Sequence, residues 1–120
     1  MNILCADDDK NFGIVLKREL EEDGHRVDLA GDGVEAVLKF TDKKYDFVLI
    51  DIRMPMLDGI GAVRVIKAMD PDVPAITYSG SAGSREISES MQAGVVRCLV
   101  KPFELAQLKE EIMRYAARQP

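Results

Sequence analysis

The sequence has no tryptophan, a single histidine and only two cysteines. Cys5 and Cys98 form neither a metal-binding spacing nor a disulfide framework, which predicts a reduced, cytoplasmic protein. No apolar run approaches the ~20 residues of a membrane-spanning helix, and residues 1–4 lack the basic segment of a signal peptide. The 16 basic and 21 acidic residues give a net charge of −5, which argues against direct nucleic-acid binding. We therefore expect a protein without membrane or direct nucleic-acid contacts.

The composition is that of one globular domain. Of the 120 residues, 47% are hydrophobic, which is enough for a substantial core. The sequence contains neither repeats nor low-complexity segments, and no change in composition marks an internal linker. We therefore expect a single domain over residues 1–120.

Short apolar runs alternate with helix-periodic segments along the chain. The run at residues 47–50 is too short for a typical helix and, between turn signals, predicts a strand buried on both faces. The first helical segment has Phe12, Leu16 and Leu20 at four-residue spacing. Five alternations of strand and helix predict a doubly wound parallel sheet with helices on both faces. The other four predicted strands are residues 2–6, 25–30, 73–79 and 95–100.

The fourth predicted helix has the weakest apolar face. Ile87 and Met91 are its only large apolar residues, and Gly94 ends it. A loop rich in serine and glycine precedes it. Few buried contacts imply a low free energy of local opening, so we expect this helix to be the least firmly anchored element.

Five polar residues lie at the carboxyl ends of predicted strands. Asp7 and Asp8 follow the first strand, Asp51 follows the third, Ser79 ends the fourth and Lys101 follows the fifth. Taken singly, each has an ordinary explanation as a helix cap, a strand end, a surface lysine or a loop hydroxyl. The carboxyl ends of parallel strands, however, meet at the edge where open α/β sheets bind ligands. We therefore expect these five residues to form one site.

Clustered carboxylates restrict the chemistry of such a site. Two like charges ~4 Å apart repel by ~4 kcal/mol at an effective dielectric constant near 20, so the site must hold a proton or a cation. An open site with few protein ligands, all oxygen, suits Mg²⁺. A carboxylate beside Mg²⁺ can attack phosphorus and form an aspartyl phosphate. Lys101 and Ser79 would then stabilise the other phosphoryl oxygens.

Four motifs stand in the order and spacing of a known family. They are Ile3-Leu4-Cys5-Ala6-Asp7-Asp8-Asp9, Asp51-Ile52-Arg53-Met54-Pro55-Met56-Leu57-Asp58-Gly59, Gln92-Ala93-Gly94 and Lys101-Pro102-Phe103. With these motifs, nearly the whole chain resembles the receiver domain of bacterial two-component response regulators. The resemblance implies a flavodoxin-like three-layer sandwich whose five strands are ordered 2-1-3-4-5. It also implies a signalling phosphoacceptor, not an enzyme, that promotes only its own phosphorylation and dephosphorylation.

The resemblance assigns the metal site and the acceptor. Asp51 would receive a phosphoryl group from a sensor histidine kinase. Asp8 would bind Mg²⁺ directly and Asp7 through water. Asp51 and the main-chain carbonyl of Arg53 would complete the protein's share of the metal ligands.

The resemblance also implies how the signal is read. Lys101 would contact the phosphoryl group and precede a cis peptide bond to Pro102. Ser79, rather than Thr77 or Ser81, would be the switch hydroxyl. Phosphorylation would change the surface of the fourth helix, fifth strand and fifth helix. That surface would meet an output domain, a target protein or, in a phosphorylation-dependent homodimer, a second copy.

Two residues depart from the family's pattern. Cys98 stands where many members carry an aromatic residue that swings inward on activation, so we expect the loop after Ser79 and the fourth helix to carry most of the change. Arg53, two residues past the acceptor, is long and cationic where many members carry smaller groups. It would either reach over the phosphoryl group or pair with a surface acid, and we favour the first.

Three other functions fit the sequence less well than the receiver interpretation. An aspartate-nucleophile hydrolase of the haloacid dehalogenase type usually needs an acid two residues after its nucleophile, where this chain has Arg53. A flavin-binding domain needs a phosphate-cradling loop after the first strand, where Asp7, Asp8 and Asp9 would repel a phosphate in the absence of a metal. A degenerate receiver would lack a required residue type, and all of them are present.

Overall fold

The computed structural model describes residues 1–80 and 83–116, with side chains through residue 115. Strands and helices alternate through this part of the chain. They are β1 (Asn2–Ala6), α1 (Lys10–Glu22), β2 (Arg26–Ala30), α2 (Gly33–Asp42), β3 (Phe47–Asp51), α3 (Gly59–Met69), β4 (Ala75–Ser79), α4 (Ser84–Ala93), β5 (Arg97–Val100) and α5 (Leu105–Ala116).

The sheet is parallel and its strands are ordered β2-β1-β3-β4-β5, which confirms the predicted topology. The central strand, β3, is buried along its whole length. Cys5 in β1 and Cys98 in β5 are separated by β3 and β4, and both thiols are free. Within the described residues, no helix is long and apolar enough to span a membrane.

Two apolar layers cover the two faces of the sheet. Alternate residues of each strand point to opposite faces, so Phe47 and Leu49 pack with α1 and α5 while Val48 and Ile50 pack with α2 and α3. The helices present the predicted faces, with Leu16 and Leu20 of α1 buried. This three-layer arrangement leaves the carboxyl ends of the strands open at one edge.

Aspartates begin three of the helices by accepting backbone N–H groups. Asp9 accepts those of Asn11 and Phe12, Asp32 accepts that of Glu35, and Asp58 accepts that of Gly61. Asp9 therefore caps α1, and Asp7 and Asp8 do not have to perform that structural role.

The predicted anchoring of α4 was wrong in one respect. Met91 is 48% exposed, and the buried residue of this helix is Ser90. Val95 beyond the helix is buried instead, because the chain turns at Gly94 and enters β5. The strand limits also differ by one or two residues; β4 begins at Ala75, after a proline that has no N–H to donate.

Candidate functional site

Asp51 is the last residue of the buried central strand. Its side chain lies at the open edge, and Oδ1 accepts the backbone N–H of Arg53 at 3.2 Å. The start of α3 packs directly behind it, since a Cβ on Gly59 would lie 2.1 Å from the Asp51 carbonyl oxygen. The Asp58-Gly59 pair therefore has a structural reason: the aspartate caps α3, and only glycine permits this close approach to the strand end.

Asp7 and Asp8 follow β1, the strand adjacent to β3, and stand beside Asp51. One carboxylate oxygen from each of the three residues lies within 4.8 Å of the others. Asp7 and Asp51 are buried, whereas Asp8 is exposed. The strand order thus brings the three predicted acids together at one point of the edge.

Burial and the nearby charge of Asp7 raise the pKa of Asp51 to about 6. The Arg53 N–H and the charge of Lys101 oppose this effect but do not cancel it. The ionised form of Asp51 is therefore destabilised in the folded chain. A bound cation would stabilise that ionised form.

The donor set fits magnesium. The three acids offer only oxygen atoms, which hard cations prefer. Asp8 faces solvent, so water molecules can complete the octahedral coordination that Mg²⁺ requires. The chemistry of the cluster is therefore compatible with the ion expected from the sequence.

Lys101 immediately follows β5 and reaches toward the cluster. Its Nζ lies 3.5 Å from Oδ2 of Asp7, and its backbone N–H donates to the Ser79 carbonyl at 2.7 Å. The bond from Lys101 to Pro102 is cis, as expected. Lys101 is thus held at the site by its backbone as well as by its charge.

Ser79 ends β4 and is fully buried. Tyr78, one residue earlier, pairs in register with Asp51, so Ser79 lies one step beyond the acidic cluster on the neighbouring strand. Thr77, two residues before Ser79 in β4, pairs in register with Cys98 of β5. Of these two hydroxyls, that of Ser79 is the one at the strand end, and Ser81 lies outside the described residues.

Arg53 does not extend over the cluster in this structure. Its Nη2 donates to Oε1 of Glu86, in the first turn of α4, at 2.8 Å. Of the two arrangements expected for this side chain, the structure contains the pairing with a surface acid. The favoured arrangement, reaching over the acceptor, is therefore not the one the folded chain adopts.

Three aromatic rings, which the sequence pattern did not place at the site, pack along one side of it. Tyr78 donates its hydroxyl to Oδ2 of Asp7 at 3.0 Å. The rings of Phe12 and Phe103 pack edge-on against Tyr78 at centroid distances of 5.6 and 5.7 Å. The sequence signal that could have identified Tyr78 is a tyrosine, a large residue with a polar hydroxyl, one residue before the end of a buried strand.

The comparisons with known proteins agree with this geometry. A family model described as the response regulator receiver domain matches residues 3–113. This chain belongs to that family. The receiver domain is similar to the transcriptional regulatory protein PrrA of Mycobacterium tuberculosis, at 39% identity over 106 residues. The match covers 88% of this chain and 46% of PrrA, so the chain spans less than half the length of that relative.

Solved structures share the fold. TrrA from Thermotoga maritima, in complex with Mg²⁺-BeF, is 34% identical with a TM-score of 0.85, and the match covers 95% of this chain and 97% of TrrA. The receiver domain of the sensor histidine kinase PA1611 from Pseudomonas aeruginosa is 34% identical with a TM-score of 0.86 and 95% coverage of both chains. In that structure a magnesium ion is coordinated in the active site cleft.

Proposed function

We propose that residues 1–120 form a receiver domain that takes a phosphoryl group from a sensor histidine kinase onto Asp51. The observation that carries this proposal is the cluster of Asp7, Asp8 and Asp51 at the carboxyl edge of the sheet, with Lys101 beside it. Asp51 is 7% exposed and ends β3 at this edge, so a donor would approach it from the edge.

Asp51 acts as the nucleophile in its ionised form. An oxygen lone pair forms the new bond to phosphorus while the bond from phosphorus to the donor's histidine nitrogen breaks, and that nitrogen keeps the electron pair. The product on this chain is an acyl phosphate. The Arg53 N–H fixes one carboxylate oxygen, which leaves the other oxygen to attack.

The acidic cluster would hold Mg²⁺ for this transfer. Asp8 and Asp51 would bind it directly, Asp7 would bind it through water, and the main-chain carbonyl of Arg53 would be a further ligand. When bound, the ion neutralises charge on the phosphoryl oxygens. The magnesium in the TrrA and PA1611 structures supports a magnesium site in this chain.

Lys101 and Ser79 would stabilise the other phosphoryl oxygens and start the response. Lys101 provides a positive charge from the end of β5. The Ser79 hydroxyl donates a hydrogen bond that exists only in the phosphorylated state, so it can shift the population between two positions of the following loop. Helix α4 follows that loop and buries few side chains, which lets it move at low cost.

The changed surface of α4, β5 and α5 would meet the next protein in the pathway. That partner is an output domain, a target protein or a second copy of this chain. PrrA is a transcriptional regulatory protein of which this chain matches 46%, which supports an output function located outside the receiver. The receiver itself promotes only its own phosphorylation and dephosphorylation.

The test is intact mass spectrometry after incubation with acetyl phosphate and Mg²⁺. The wild type should gain the mass of one phosphoryl group, EDTA should prevent the gain, and Asp51→Asn should accept nothing at that position. Asp58→Asn is the matched control, since it changes a nearby acid while asparagine still caps α3. An unchanged wild-type mass, under conditions in which a known receiver reacts, would refute the proposal.

A further inference from the structure

Tyr78 borders the acidic cluster and has no role in the chemistry described above. It is fully buried and stands next to Asp51 in the register of β3 and β4. Its hydroxyl donates to Oδ2 of Asp7 at 3.0 Å and lies 3.8 Å from Sγ of Cys5. A buried tyrosine hydroxyl needs a polar partner, and here that partner is a carboxylate of the acidic cluster.

The Asp7 carboxylate is held at both of its oxygens. Oδ1 accepts the backbone N–H of Asp9 at 2.8 Å. Oδ2 accepts the Tyr78 hydroxyl and faces Nζ of Lys101 at 3.5 Å. Because the side chain of Asp7 is 1% exposed, loss of a donor leaves a buried carboxylate oxygen with one hydrogen bond fewer. These contacts together set the plane of the carboxylate.

The Tyr78 ring also contacts Lys101. The Lys101 ammonium lies 5.0 Å from the Tyr78 ring centroid and 4.2 Å from that of Phe12, within the range of cation–π attraction. The same ring packs edge-on against Phe12 and Phe103. Tyr78 thus contacts Asp7 through its hydroxyl and Lys101 through its ring.

We propose that Tyr78 is a positioning residue of the metal site, whose hydroxyl fixes the Asp7 carboxylate for Mg²⁺ and whose ring holds Lys101 beside it. This inference rests on the Mg²⁺ site of the proposed function. It adds a residue that acts on the ion through Asp7 without touching it. Such outer-shell partners orient metal ligands and affect the affinity of the site.

Tyr78→Phe isolates the contribution of the hydroxyl, because the ring and its packing are kept. Oδ2 of Asp7 then retains Lys101 as its nearby donor, and the lysine is drawn toward Asp7, where its charge competes with the cation. Loss of a partner of a direct ligand typically lowers metal affinity by 10–100-fold. Because Asp7 is proposed to hold the ion through water, we expect a smaller effect, a rise of about fivefold in the Mg²⁺ dissociation constant.

The test is a titration of the 120-residue protein with MgCl₂, followed by amide NMR shifts, without a phosphoryl donor. Tyr45→Phe is the matched control, because Tyr45 is also buried and its hydroxyl donates to Asp28 at 2.6 Å, away from the site. Tyr78→Phe should weaken Mg²⁺ binding and Tyr45→Phe should not.

Two further measurements distinguish positioning from a general loss of stability. In an Asp7→Asn background, Tyr78→Phe should change Mg²⁺ affinity by less than about twofold, because the hydroxyl acts through Asp7. The chain has three tyrosines and no tryptophan, so Mg²⁺ should perturb the tyrosine absorbance of the wild type and of Tyr45→Phe but not of Tyr78→Phe.

The outcomes separate this inference from the proposed function. A wild type that does not respond to Mg²⁺ would overturn the metal site itself. If the wild type binds Mg²⁺ and Tyr78→Phe binds it with unchanged affinity, only the role of Tyr78 is overturned. Equal losses of affinity in Tyr78→Phe and Tyr45→Phe would overturn that role as well. If Mg²⁺ binding leaves the tyrosine absorbance of the wild type unchanged, the role of Tyr78 is overturned in the same way.

Discussion

The Arg53 guanidinium pairs with the Glu86 carboxylate at 2.8 Å and so joins the loop after β3 to the first turn of α4. The same residue donates its backbone N–H to Asp51, so one residue contacts both the proposed acceptor and the helix proposed to move. The Arg53 side chain is 60% exposed and that of Glu86 27%. Ion pairs of this kind contribute at most about 1 kcal/mol, which a phosphoryl group at Asp51 can outweigh.

Removal of this ion pair should therefore loosen α4 before any phosphorylation. We expect Glu86→Gln to increase amide hydrogen exchange in the first turn of α4, while the free energy of unfolding changes by less than about 1 kcal/mol. Glu89→Gln is the control, since it breaks the Arg85–Glu89 pair of the same helix and leaves Arg53 in place. Equal exchange in the two variants would show that Arg53 does not tether the helix.

Ser79 should be needed for the response of α4 to a phosphoryl group. Beryllofluoride with Mg²⁺ mimics that group, and we expect it to change amide protection mainly between residues 79 and 94. The effect should weaken in Ser79→Ala because the alanine cannot donate the hydrogen bond that draws the loop inward. A response in α2 with residues 79–94 unchanged would contradict this mechanism.

The raised pKa of Asp51 predicts how stability depends on pH without metal. The folded chain binds this proton more tightly than the unfolded chain, since the pKa rises from 3.8 to about 6, so the wild type loses stability as pH rises through that interval. Asp51→Asn lacks this loss and should be more stable at pH 7.5 by up to about 3 kcal/mol. Urea denaturation in EDTA should show the gain shrinking toward pH 4; a constant or growing gain would refute the assignment.

Met56 has a backbone conformation that favours glycine. Its φ is 72° and its side chain is 82% exposed, so packing does not compensate for the strain. A left-handed conformation costs a non-glycine residue about 1–2 kcal/mol, and the greater flexibility of unfolded glycine offsets part of that. We expect Met56→Gly to raise the free energy of unfolding by about 0.5–1 kcal/mol.

Met113→Gly is the control for that substitution. Met113 is also exposed, at 65%, but it lies within α5, where glycine should destabilise by about 1 kcal/mol. Thermal unfolding should therefore move in opposite directions for the two variants. A loss of stability in Met56→Gly would show that the strain is compensated elsewhere.

The sequence determined the features that depend on neighbours along the chain. Residues 47–50 predict a central strand because four consecutive apolar side chains can be buried only between two layers, and β3 is buried throughout. The meeting of Asp7, Asp8 and Asp51 was predictable because parallel strands bring their carboxyl ends to one edge. The helix caps at Asp32 and Asp58 are local in the same way, because each side chain accepts an N–H only three residues ahead.

The tertiary structure decided which residues distant along the chain contact one another. Tyr78 and Asp7 are 71 residues apart, and Arg53 and Glu86 are 33 apart, so neither pair leaves a periodic signal. Met91 belongs to the weak apolar face predicted for α4 but is 48% exposed, since the side of a short helix that faces the sheet depends on how the following turn docks. Side-chain partners across a sheet depend on packing of whole layers, and local pattern contains no information about that packing.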